Sequence, residues 1–300
     1  MVMAGYQGEL AALSAAFLWA VAALLFEQIG RRVHSLEINL LKGIIASILF
    51  GITLAVIGGF GTQIPLPFLL LLIASGALGI GVGDTAYFET LQCLGVRRSL
   101  LLSVLAPPMA AILGLIFLQE TLSLTSWLGI FITIAGVAWV ISEQTPADSG
   151  RTCALRRGVI FGLVFALCQA GGGVISRHVF SQTTISPLES AFIRLLSGVA
   201  ILIVWLAFRR QKVLTWAREK SAGRIFALLM TVSVFGTFIA IWLQQVSFKF
   251  TDVAVAQTLL ATSPLFGLLI SALRGEKTSL RAVLGAVIAT LGISLLFEVF

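Results

Sequence analysis

The sequence predicts an all-α integral membrane protein of ten transmembrane helices, arranged as two inverted five-helix repeats. Three observations carry this expectation. Of 300 residues, 58% are hydrophobic and only 11% charged, with a mean hydropathy of +1.04; a soluble domain of this length needs far more surface charge. Apolar runs follow one another along the chain, each near the ~20 residues that cross a ~30 Å hydrocarbon core as a helix. The chain also matches itself at an offset of 156 residues. Glu120-x-x-Ser123-Leu124-x-x-x-Leu128-Gly129 recurs as Glu276-x-x-Ser279-Leu280-x-x-x-Leu284-Gly285, Pro108 falls on Pro264, and Gly136 on Gly292. A self-match at one offset indicates duplication.

The predicted spans of the first copy are 8–29, 38–57, 67–93, 99–118 and 122–142; those of the second are 158–175, 187–208, 223–246, 253–273 and 279–297. The runs are continuously apolar rather than alternating, which favours helices over a barrel. Residues 1–8 lack a basic stretch, so the first run is expected to remain as a span. The polar segment EQTPADSGRTCALRR separates the copies, giving a first repeat at 1–145, a connecting loop at 146–157 and a second repeat at 158–300. The early helices match more weakly: Gly8 with Gly158, Leu36-Glu37 with Leu188-Glu189, and Lys42 with Arg194. Five is odd, so the second copy enters the membrane the opposite way round, an arrangement on which many secondary transporters are built.

The formal net charge is +7, but its distribution reports orientation. Of the 20 Lys and Arg, 16 lie in odd-numbered loops and two, Arg177 and Lys249, in even ones; Lys42 and Arg194 lie inside spans. The odd loops are therefore expected in the cytoplasm of a multi-pass cell-membrane protein, with both termini extracytoplasmic. The expected partners are the lipid bilayer and a small-molecule substrate, with no nucleic acid. Cys93, Cys153 and Cys168 lack metal-ligand spacing and read as small apolar fillers, so neither metal nor cofactor is expected.

Several residues stand out against the apolar background. Pro107-Pro108 and Pro264 fall mid-span at matching places in both halves. Each removes a helical hydrogen bond, and interrupted helices at corresponding places point to a central binding site. Asp84 lies well inside the third span, where a carboxylate costs several kcal/mol unless hydrated, paired or protonated. It follows Gly76, Gly79, Gly81 and Gly83 and shares a helix face with Tyr87, which is placed to hydrogen-bond it. Its repeat partner is Ala240. Lys42 and Arg194 are placed to attract an anionic group in opposite access states; the plainer reading has them snorkelling to the interface. Trp19, Gln169, Trp242, Gln244, Gln245 and Gln257 sit at membrane depth as cavity candidates, against the plainer reading of interhelical hydrogen bonding. Glu89 is expected near Arg97 and Arg98. Gly129, Thr133 and Gly136, echoed by Gly285, Ala289 and Gly292, predict a close-packed seam.

The pattern Gly83-Asp84-x-x-Tyr87, then Leu102-x-x-Leu105-x-Pro107, then the Glu120 motif ending at Gly136, resembles the EamA domain of the drug/metabolite transporter superfamily; the second half carries the same signature. The resemblance covers essentially the whole chain. It implies a non-enzymatic secondary active transporter for a small metabolite or drug-like solute, working by alternating access with proton coupling or exchange. It further implies a cavity formed mainly by spans one, three, four, six, eight and nine, with five and ten peripheral. Proteins similar to this one mostly keep both termini in the cytoplasm, the reverse of what the loop charges predict here.

A second class of function is also in view. Gly81-Val82-Gly83-Asp84 matches the GxGD pattern of intramembrane aspartyl proteases, whose chemistry needs two aspartates sharing a proton. The remaining aspartates, Asp148 and Asp252, lie far from Asp84 on the predicted topology, so no catalytic residue is assigned.

Overall fold

The structure is a computed structural model and describes residues 6–59, 63–117, 123–141, 154–209, 213–218, 221–251, 253–275 and 279–296. The described residues form helices and turns with no strand. In the first half these are α1 (Gln7–Gly30), α2 (Ser35–Ile57), α3 (Leu66–Gly76), a π-helical segment (Ala77–Gly83), α4 (Asp84–Ser103), α5 (Ala106–Phe117) and α6 (Leu124–Ile141). In the second they are α7 (Leu155–Gln182), α8 (Pro187–Arg209), a short 3-10 turn (Thr215–Arg218), α9 (Ala222–Val232), a second π segment (Ser233–Ile239), α10 (Ala240–Phe250), α11 (Val253–Leu260), α12 (Ser263–Leu273) and α13 (Leu280–Leu296). Among the described residues six continuous helical stretches are long and apolar enough to cross a membrane, and shorter apolar helices cover Trp127–Val140, Ser263–Leu273 and Leu280–Leu295.

The structure departs from the expected boundaries in an instructive way. Predicted spans three and four are not parted by a loop; helix runs through Leu66–Ser103. It breaks at one residue, Gly95, whose φ of 77° lies in the left-handed region that favours glycine. Nor do the prolines kink unbroken helices. The chain leaves helix at Val104-Leu105, and Pro107 and Pro108 lie in the first turn of α5. In the second half it leaves helix at Ala261-Thr262, with Pro264 in the first turn of α12. A proline there gives up an N–H that has no helical partner anyway. The interruptions are real and correspond; the prolines begin the new helix.

The π segments are a second matched pair. Each has seven residues, and they begin 156 positions apart, at Ala77 and Ser233. A π turn frees backbone carbonyls. Asn39 of α2, fully buried, meets those of the first segment: its Nδ2 donates to Ile80 O at 2.7 Å and to Thr85 Oγ1 at 2.9 Å. Close to this segment α8 crosses so tightly that a Cβ on Gly76 would stand 2.2 Å from the Arg194 carbonyl oxygen.

Packing follows the duplication. α4 lies on α7 and α10 on α1, while α2 meets α8 and α6 meets α13. The predicted seam joins the last pair: Thr133 Oγ1 donates to Ala289 O at 3.3 Å, and a Cβ on Gly292 would come within 2.6 Å of Thr133 N. The outward faces of α6 and α13 expose Phe131, Leu128, Leu284 and Leu291, as a lipid-facing surface requires. Cys93, expected as a filler, is disulfide-bonded, while Cys168 is free. Glu89 pairs with Arg157 of α7 at 3.0 Å. Glu120, Glu276, Cys153 and most of the connecting loop lie outside the described residues.

Candidate functional site

The two interruptions and the two π segments surround one cavity of about 140 Å³. Its wall is built from α1, α2, α4, α5, α7, α8, α10, α11 and α12, with the first π segment contributing Ile80 and the second Gly236. α6 and α13 pack on each other, and none of their described residues lines it.

Eight of the twelve expected residues line this cavity: Trp19, Lys42, Asp84, Tyr87, Gln169, Arg194, Gln244 and Gln257. Four do not. Pro108 yields its place to Pro107. Pro264 lines a separate void of about 20 Å³ with Val96 and Gly267. Trp242 is 39% exposed on α10, so it faces outward. Gln245 is fully buried and accepts a hydrogen bond from Ser190 Oγ at 3.1 Å, tying α8 to α10; for it the plainer reading, helix packing, holds.

At the centre stands Asp84, the first residue after the π segment. Its Oδ2 receives a hydrogen bond from Lys42 Nζ at 2.5 Å, and its Oδ1 one from Gln169 Nε2 at 3.1 Å. Three helices thus meet on one carboxylate. A charge-assisted pair held by a further hydrogen bond is the arrangement that makes buried charge tolerable. Tyr87 was placed by sequence as the partner of Asp84, but its ring packs against Phe165 at 4.9 Å between centroids. Lys42 does not snorkel: it is 4% exposed, and its ammonium also lies 5.4 Å from the Phe88 ring centroid, within cation–π range.

Arg194 is buried as deeply, at 2% exposure, and its Nε and Nη1 find no hydrogen-bond partner. The cavity therefore combines an ion pair, a second cation, three glutamines and an aromatic wall. It can hold a small solute with both polar and apolar parts. Among the described residues the protease arrangement is not what Asp84 offers: its hydrogen-bond partners are a cation and an amide. Asp148 and Asp252 lie outside the described residues.

Sequence reasoning missed Phe26, Phe88, Phe165 and Ser103 of the lining, and Asn39 behind it. Aromatics within an apolar run carry no signal that separates cavity from lipid. Asn39 did carry one, as an amide inside a span.

The sequence model of the EamA-like transporter family matches residues 6–142 and again 156–298. The protein described as "Uncharacterized transporter YyaM" from Bacillus subtilis (strain 168) is 26% identical over 224 residues, 74% of this chain and 70% of that protein. A solved structure described only as "Crystal structure of protein" superposes with a TM-score of 0.70 over 96% of this chain and 95% of its own, at 16% identity, a likeness of fold. With two family matches that together span both halves, the chain belongs to the EamA-like transporter family.

Proposed function

We propose that this protein is a secondary active transporter that carries a small metabolite or drug-like solute through the central cavity by alternating access. The observation that carries the reading is the position of the cavity. Both halves line it, and each half contributes a π segment and a helix break at corresponding places. Interrupted helices at the meeting of two repeats are where solute sites form in such transporters, and irregular backbone at membrane depth belongs beside a cavity.

In this reading the chain crosses once before Gly95, through α3, the π segment and the start of α4, and once after it, through the end of α4 and α5, giving ten crossings as two inverted five-helix repeats, 1–145 and 158–300. Trp19, Gln169, Gln244 and Gln257 contact the solute. Asp84 and Lys42 form the pair whose exchange of partners couples transport to a proton or a counter-solute. Pro108 and Pro264 mark the half-helix junctions about which the cavity opens. The excess of Lys and Arg in the odd loops supports both termini lying outside the cytoplasm.

Uptake of a metabolite and drug panel into proteoliposomes tests the reading, with and without an imposed pH gradient. At least one solute should enter saturably. Uptake of none, or uptake that never saturates, contradicts it. For orientation, a C-terminal reporter active only in the cytoplasm should stay silent; a strong signal reverses the assignment.

A further inference from the structure

Arg194 poses a question that the ion pair does not answer. In the first half, Lys42 on α2 finds Asp84 on α4. The repeat places Arg194 on α8 where Lys42 stands, but puts Ala240 where the acid would be. The second cation thus has no acid at the place that corresponds to Asp84, and its Nε and Nη1 make no hydrogen bond. A buried guanidinium with unpaired N–H groups costs several kcal/mol, so a residue kept there points to a partner absent from the protein itself.

The surroundings are shaped for the guanidinium. It lies between the first π segment and α7, where both helices carry glycine. A Cβ on Gly79 would stand 3.2 Å from Arg194 Nη2, and one on Gly172 3.5 Å. Side chains at those positions would crowd the fork. The residue also lines the cavity, so the space in front of it is open to a solute.

Charge then selects the ligand. Lys42 and Asp84 cancel, leaving an excess of one positive charge among the described lining residues. A planar carboxylate matches the guanidinium fork with two parallel hydrogen bonds, and it balances one charge; a phosphate dianion would overshoot. A cavity of about 140 Å³ is near the ~150 Å³ that admits benzene. The same wall offers Phe165, Tyr87 and Trp19.

We infer that Arg194 is the receptor for a carboxylate on the transported solute, and that this protein selects small monocarboxylates with a compact apolar or aromatic body. The inference rests on the transporter reading only for what happens after binding, so binding and flux are measured separately. The full chain, purified in detergent, is titrated with matched pairs such as 3-phenylpropionate and 3-phenylpropionamide, butyrate and butyramide, and indole-3-acetate and its amide. Quenching of tryptophan fluorescence and thermal stabilisation report binding.

For at least one pair the acid should bind at least tenfold more tightly than its amide. That preference should vanish in Arg194→Gln and persist, weakened, in Arg194→Lys. The wild-type comparison needs no variant, so misfolding of Arg194→Gln leaves the test intact. Equal binding of acid and amide across the panel overturns the inference, as does an undiminished preference in folded Arg194→Gln. Proteoliposome flux separates the two claims. Acid-selective binding without flux upholds the carboxylate site and sinks the transporter reading. Flux of amides equal to that of acids upholds transport and overturns the carboxylate site.

Discussion

At the cavity Asp84 and Lys42 of the first half meet Gln169 of the second; the places that correspond to these three hold Ala240 and Arg194 in the second half and Trp19 in the first. The backbone devices are the same in both halves: a seven-residue π segment, then a helix that breaks and restarts on a proline turn. Duplication has preserved the machinery that interrupts helices and allowed the chemistry on it to diverge. Irregular backbone is tolerated at membrane depth only when buried in protein or lining a cavity, so both copies keep what makes the cavity.

The largest expected effect breaks the first-half pair. Asp84→Asn leaves Lys42 buried and uncompensated, which costs about 3–5 kcal/mol when one partner of such a pair is removed. The variant should melt well below wild type in detergent and lose solute uptake. The double variant Lys42→Met with Asp84→Asn removes both charges. It should recover most of the stability and none of the transport, and a thermal double-mutant cycle reads the coupling directly. Recovery of transport would make the pair a packing device.

A second contrast lies about two turns before Asp84. Gly76 corresponds to Val232, which is 1% exposed in the second half. Only the first copy lets α8 cross at backbone contact, so Gly76→Ala forces a Cβ against the Arg194 carbonyl and should cost about 1–3 kcal/mol. It should also disturb binding by shifting Arg194. Val232→Ala, by contrast, should cost about 1–2 kcal/mol from lost packing with binding unchanged. Equal effects of the two on binding would erase the distinction between the halves.

Glu37 and Glu189 form a smaller contrast. Glu189 closes a reciprocal cap, accepting from Ser186 N at 3.0 Å while Ser186 Oγ accepts from Glu189 N at 3.1 Å. Glu37 instead holds the segment before α9, accepting from Trp216 Nε1 at 2.8 Å and from Leu214 N. Glu189→Gln should cost about 1 kcal/mol. Glu37→Leu should cost more, about 1–3 kcal/mol for the two donors it strands, and should shift Trp216 fluorescence. Smallest of all is Glu89→Gln. Its partner Arg157 is 62% exposed, so the loss should stay within about 1 kcal/mol.

Much of this was legible in the sequence because lipid enforces a simple code. Runs of apolar residues must be helices, and polar residues inside them must have a reason to be there; Asp84, Lys42, Gln169 and Arg194 were found that way. Repeat matching located both interruptions to within a few residues, since proline marks the start of the half-helix that follows. What remained hidden depends on neighbours. Leucine and phenylalanine facing the cavity read the same as those facing lipid, so Phe26, Phe88 and Phe165 gave no sign. The first π segment relies on Asn39, some 40 residues upstream, to satisfy its carbonyls. The break at Gly95 falls between the predicted spans 67–93 and 99–118, but nothing in the sequence said that a single residue, rather than a loop, would make it. Trp242 and Gln245 were misplaced because composition gives depth in the membrane but not azimuth around a helix.

The central claim is that solute crosses through the cavity between the halves, exposed to one side at a time. Counterflow across proteoliposomes tests it most directly, once a solute is found in the uptake panel. Labelled solute outside should enter faster when unlabelled solute is loaded inside, and Ala106→Trp, which fills the cavity, should abolish the flux while leaving the protein folded. Flux that ignores the loaded solute, or that survives with Trp in the cavity, would contradict the account.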